Sequence, residues 1–326
     1  MKISKLVKSI KRALREPDPN TWSREDCIAL GAKQSGYRAA RRALEALPKA
    51  RLHSQSTVFS SKIPTQEDLS SNWARYWLSE LGERMRFHRQ AWEFAYLLQS
   101  LRNARAIQND ARALVLGLQH SPIISFLAAR GVHQTVLVRP KEVEGSSISM
   151  TERMRSTSHR HEMIAGDKFD ERVVGKLGDL VSQGADLGEF DFIWSLDHLN
   201  KLGSAQAIRQ EILASVDRLA PGGVAVFAFD LDLTTEGHDP ASQRMRRADL
   251  KLLAKTLIAA GHYLAPVDLK AGKGELDSFI DFPPYRFDQS IKELWGDDVL
   301  HMKLLIGGAI CTSFGLTIIR GPSPNQ

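Results

Sequence analysis

The 326 residues predict an α/β fold, a Rossmann-like doubly wound sheet of seven strands with an antiparallel last strand, preceded by an N-terminal helical segment. Three observations predict it. From residue 112 onward, short apolar runs alternate with segments of helical period, the rhythm of right-handed βαβ units. The first five of those runs are apolar throughout, as strands covered on both faces must be. The last long run, 304–319, holds Gly307, Gly308 and Gly315, ends in β-branched residues and falls short of the roughly 20 residues of a spanning helix, so it reads as a buried hairpin arm.

Composition bounds the class. With 43% hydrophobic and 25% charged residues the chain is globular, not fibrous or disordered. Charge is unevenly placed, with 20 Lys+Arg against 11 Asp+Glu over 1–110 and 24 against 27 over 111–326. A basic N-terminal region without an interleaved recognition motif predicts no nucleic-acid partner. Cys27 and Cys311 lack the spaced partners of a zinc site and are too few for a disulfide framework, so both read as structural thiols. Lys2, Lys5, Lys8, Lys11 and Arg12 leave no uninterrupted apolar stretch for a secretory leader, and the expected location is the cytoplasm.

In chain order, residues 1–16 set Ile3, Leu6, Val7, Ile10 and Leu14 at helical spacing, a basic amphipathic helix ending before Pro17. Such a helix lies on its own protein, on a membrane surface or on a partner protein. Residues 17–110 are expected to form a helical accessory or cap region. Within it 17–24 and 53–72, rich in Ser, Thr, Pro and Asn, read as linkers. Segment 24–47 reads as one helix and 72–107 as two, broken near Gly82. The pair carries Trp73, Tyr76, Trp77, Phe87, Trp92, Phe94 and Tyr96, either as core or as a wall over the ligand edge. The sheet domain spans 111–322, with strands expected at 113–118, 135–138, 173–177, 190–195, 224–229, 263–267 and 312–319. Helices at 122–130, 204–219 and 246–260 supply the crossovers.

Three local patterns bear on chemistry. In ALVLGLQHSP a strand runs into a turn and a helix with Ser121 at its N-cap and Pro122 at N1, where Gly117 would let ligand and backbone approach closely. In FDFIWSLDHLNKL and LAPGGVAVFAFD, strands deliver Asp197, His198, Asp230 and Asp232 to one edge of the sheet, with Pro221-Gly222-Gly223 as the tight turn feeding the second. Carboxylates and a histidine there serve a general base, or cap helices and pair with arginines. His159, His161 and Glu162 lack an obvious third ligand, and no metal is expected.

The pair FDFIWS and RLAPGGVAVF, following ALVLGL, resembles the later motifs of class I S-adenosylmethionine-dependent methyltransferases over roughly 112–320. The blocks MRFHRQAWEFAYLLQSL, DFPPYRF and HMKLLIGGAICTSFGLTIIR extend the likeness to a bacterial subset associated with polysaccharide or secondary-metabolite clusters. The resemblance implies S-adenosylmethionine as cofactor and a saccharide or other small hydroxylated molecule as acceptor. It puts Gly117, Gln119, Arg139, Asp179, Leu180 and Ser195 at the cofactor, and Asp197, His198 and Asp230 at the reaction. Three positions depart from the family pattern: Gln119 and Ser121 stand where glycine and acid are expected, and Arg139 stands where an acid meets the ribose. The alternative is a catalytically degenerate member serving as a ligand-binding or protein-interaction scaffold, with Arg139 suited to a phosphate.

Overall fold

The computed structural model describes residues 24–49, 51–54, 57, 60–118, 121–145, 147–183, 187–234, 236–239, 241–282 and 300–322. The predicted helix at 1–16 and the site residue Gln119 lie outside them.

Helices α1 (Arg24–Glu45), α2 (Gln66–Ser70), α3 (Asn72–Glu80) and α4 (Arg89–Asn103) precede the sheet domain, with two short strands among them, β1 (Ser61–Lys62) and β2 (Phe87–His88). The domain continues through β3 (Arg112–Leu116), α5 (Ile123–Ala128), β4 (His133–Val138), α6 (Met150–Ser158), α7 (Gly166–Arg172), β5 (Val173–Leu177), α8 (Leu180–Gln183) and β6 (Phe190–Leu196). It closes with α9 (Ala205–Asp217), β7 (Leu219–Asp232), β8 (Met245–Arg246), α10 (Arg247–Ala259), β9 (Tyr263–Leu264), β10 (Val267–Asp268), β11 (Leu300–His301), β12 (Lys303–Ile306) and β13 (Ala309–Ile319).

The sheet runs β10-β1-β13-β7-β6-β3-β4-β5, with β9 and β12 on β13 and β8 on β7. From β7 to β5 all pairings are parallel, and β13 runs antiparallel to β7. The order reverses between β3 and β6, the switch point at which such sheets bind ligands beyond their carboxyl ends. This is the Rossmann-like, doubly wound fold that the alternation predicts.

Side-chain alternation divides the interior into two cores. Val115, Val136, Trp194 and Val226 face the layer of α4 and α5, with Trp92, Leu97, Leu101 and Phe126. Leu114, Leu116, Ile193 and Phe227 face α9 and α10, with Ile208, Ile212, Leu253 and Leu257. The predicted hairpin arm is the pair β12–β13, joined by Gly307 and Gly308 at φ 60° and 82°, a two-residue turn whose positive angles only glycine adopts without strain.

Five expectations are corrected. Among the described residues the sheet has 11 strands, not seven, because two-residue segments add to its edges and ends. Segment 53–72, read as a linker, supplies β1, inserted between β10 and β13, and α2, capped by the Thr65 hydroxyl. Pro221-Gly222-Gly223 does bend the chain, with Gly222 at φ 78° and a register skip between Leu219 and Val224, but it does so within the span of β7 and not ahead of it, where the Gly222 amide donates to the Arg320 carbonyl and the Arg320 amide to Gly223. The run 263–267 splits into β9 and β10, which meet different neighbours. Pro122 sits one position earlier than predicted, before α5, and the Ser121 hydroxyl accepts the Ile123 amide at 3.2 Å.

No helix among the described residues is long and apolar enough to cross a membrane.

Candidate functional site

Gly117 ends β3 with φ +76°, and a Cβ there would collide with the His198 imidazole. Asp197, which precedes that histidine, also adopts a left-handed conformation, φ 65°, and this turn sends the two side chains apart. Asp197 stays at the surface, accepting from Asn200 Nδ2 at 3.0 Å and pairing with Lys201 at 3.3 Å. His198 goes inward. Its side chain is 2% exposed, with Nε2 at 3.5 Å from Glu211 Oε1 and Nδ1 at 3.9 Å from Glu142 Oε1. Nδ1 has no hydrogen-bond partner. Burial pulls the imidazole down, but Glu142 and Glu211 outweigh it and hold His198 above its ordinary value. Burial raises Glu142 in turn, and His198 together with the Arg139 amide reverses that, leaving it below the usual carboxylate range.

Arg139, at the end of β4, carries its guanidinium 3.3 Å from Asp179 Oδ2, and both side chains are about one-third exposed. Asp179 Oδ1 accepts the Val181 amide at 3.1 Å, the first turn of α8. Leu180 is buried in the second core. Ser195 is fully buried and donates to the Leu116 carbonyl at 3.2 Å, tying β6 to β3.

A second group of charges lies at the ends of β7 and β13. Asp230 pairs with Arg89, the first residue of α4, and its amide donates to Asn200 Oδ1 at 2.7 Å. Ser313 lies opposite Asp230 in register and donates its hydroxyl to Glu93. Burial raises the Glu93 carboxyl above its ordinary range, against the opposing pull of Arg89 and Ser313. Arg89, held above its ordinary value because Asp230 and Glu93 outweigh burial, also feels Asp197.

Arg89, Glu93, Tyr96 and Ser100 share one face of α4 and lay a polar seam, Arg89 on β7 and the other three on β13. Tyr96 Oη meets Thr317 Oγ1 at 2.7 Å and donates to the Ser60 carbonyl at 3.0 Å, and Thr317 reaches Ser100 Oγ at 3.4 Å.

The structure thus brings Gly117 and His198 together, and Arg139 with Asp179, while Asp230 joins a separate group. Arg89, Glu93, Glu142, Glu211 and Ser313 were missed. Two signals were present: Arg89, Glu93, Tyr96 and Ser100 recur at helical spacing, and Arg139-Pro-Lys-Glu142 has the spacing of a helix cap. Glu142 Oε2 accepts the Arg139 amide at 3.0 Å, so an acid does stand beyond β4, three residues after the position where it was sought.

Among the described residues no cluster of three or more metal-ligating side chains exists. His159 turns inward onto Phe169 and the Ile164 carbonyl, whereas His161 stands in solvent beside Glu162.

No family model and no curated protein matches the chain. Solved structures do. A putative sarcosine dimethylglycine methyltransferase from Galdieria sulphuraria is 17% identical over 77% of this chain and 99% of its own, TM-score 0.44. The N-methyltransferase NodS from Bradyrhizobium japonicum is 13% identical over 72% and 96%, TM-score 0.35. Phosphoethanolamine N-methyltransferase 2 from Haemonchus contortus, in complex with S-adenosyl-L-methionine, is 11% identical over 76% and 57%, TM-score 0.43.

Proposed function

We propose that the chain is an S-adenosylmethionine-dependent methyltransferase acting on a small hydroxylated molecule, saccharides included. The observation that carries this reading is the buried, unpartnered Nδ1 of His198 facing the Glu142 carboxylate above Gly117. An orphaned donor inside a protein costs about 1–3 kcal/mol. Its position at the switch point of the sheet supports a ligand hydroxyl that accepts from His198 and donates to Glu142.

That pair supports the fit of the cofactor's ribose despite Arg139, and Asp179 remains an acceptor for its adenine amino group. Arg139 competes for Asp179 and weakens the adenine end. When bound, the cofactor supplies an electrophilic methyl group on a cationic sulfonium.

The chain's own part at the acceptor falls to the second group. Glu93, with a carboxyl raised by burial, takes the proton of an acceptor hydroxyl, while Ser313 fixes its orientation. Arg89 pairs with Asp230 and orients its carboxylate to accept from a neighbouring hydroxyl. Both carboxylates sit on well-packed elements, so their orientation is set before the acceptor arrives.

Titration calorimetry of the full chain with S-adenosylhomocysteine tests the reading. Micromolar binding is expected, weakened about tenfold or more, at least about 1.4 kcal/mol, by Glu142→Gln and by Asp179→Ala. No heat at millimolar ligand overturns it and leaves the scaffold alternative.

A further inference from the structure

Away from the strand ends, a cavity of about 400 Å³ opens between α2 and α3, the second half of α4, and the edge strands β1 and β10. Lys62, Asp68, Trp73, Gln99, Asn103 and Asp268 line it. None of the chemistry above uses this cleft.

Its polar groups are held in place before any ligand arrives. Asp68 accepts from Lys62 Nζ at 2.8 Å and from Trp92 Nε1 at 3.0 Å. Gln99 takes the Trp77 indole N–H at 2.7 Å on its oxygen and donates to Asn103 at 2.9 Å. Asp268 uses Oδ1 for the Lys270 amide at 3.0 Å. Trp73 is different in kind: it is half-buried, packs against the first core and also lines the cavity, the one indole among its polar lining residues.

These features select one ligand class. The volume lies within the range of about 300–1,000 Å³ typical of small-molecule sites. Two carboxylates against one ammonium disfavour phosphates and nucleotides, and the density of amides and carboxylates disfavours a purely apolar ligand. A pyranose offers what remains: a face of C–H groups to lie on an indole, rimmed by hydroxyls that both donate and accept. We propose that this cleft is a saccharide-binding site, separate from the strand-end site and independent of the methyl-transfer reading.

The test applies the full-length chain to an array of oligosaccharides and follows retained glycans by calorimetry. Binding is expected, reduced about tenfold or more by Trp73→Ala and by Asp268→Asn, at least about 1.4 kcal/mol. Trp73→Phe, which keeps a ring face, is expected to stay within a few-fold of the wild type. Thermal melting of Asp268→Asn controls for folding. Retention of no glycan, or affinity indifferent to both Trp73→Ala and Asp268→Asn, overturns the proposal. Glycan binding without S-adenosylhomocysteine binding would retain this site and remove only the methyltransferase reading.

Discussion

His198 is the residue on which the electrostatics of the site turn. Its charged form is held by Glu142 and Glu211 against the pull of burial, so its folded value lies above the 6.5 of a free imidazole. A raised value means that the folded state binds the proton more tightly than the unfolded chain. The stabilisation is therefore complete below about pH 6.5 and is lost as pH rises through the folded value. Denaturant unfolding of the wild type and His198→Asn across pH 6 to 9 should show the wild type's advantage shrinking toward alkaline pH. A constant difference would mean that the histidine is buried neutral. The sequence placed Asp197 and His198 at one edge as a matched pair. What it could not show is that a left-handed Asp197 sends one outward and the other beneath Gly117, because that outcome depends on Glu211, 13 residues on, and on Glu142 from another crossover.

Among elements, α4 departs furthest from expectation. Its aromatic content reads as core, and Trp92, Leu97 and Leu101 are core. A second face, however, lays Arg89 on β7 and Glu93, Tyr96 and Ser100 on β13. Helical spacing makes that face legible, but its partners on β7 and β13 lie 141 to 221 residues away and no local pattern names them. Gly315 allows the approach, since a Cβ there would strike the Tyr96 ring. Gly315→Ala should cost about 1–3 kcal/mol in thermal or denaturant unfolding, the range of overpacked sites. A neutral result would mean that α4 moves freely on the sheet. The other elements divide by length. Fully apolar runs such as β3 and β6 carry their own signal, whereas β1, β2, β9, β10 and β11 have two residues each and exist only because a neighbour supplies their hydrogen bonds. The same cause draws Pro221-Gly222-Gly223 into β7: the bend its residues encode is present, but pairing with Arg320 holds it inside the strand.

At the scale of the whole molecule, the sheet's reversal between β3 and β6 sets the positions of both polar groups. His198 and Glu142 stand over the switch point, and Glu93 and Asp230 stand over β7 and β13, so the proposed cofactor and acceptor sites are neighbours along one edge. The alternation of apolar runs made that architecture legible; the chemistry at the edge was legible only in part, because Glu142, Glu93 and Arg89 arrive from outside the strands. A crystal structure of the full chain grown with saturating S-adenosylhomocysteine tests the account most directly. The predicted result is ordered density for the adenosyl group with its ribose hydroxyls on Glu142 and His198. An empty switch point at saturating ligand, or a ribose bound elsewhere, would contradict it.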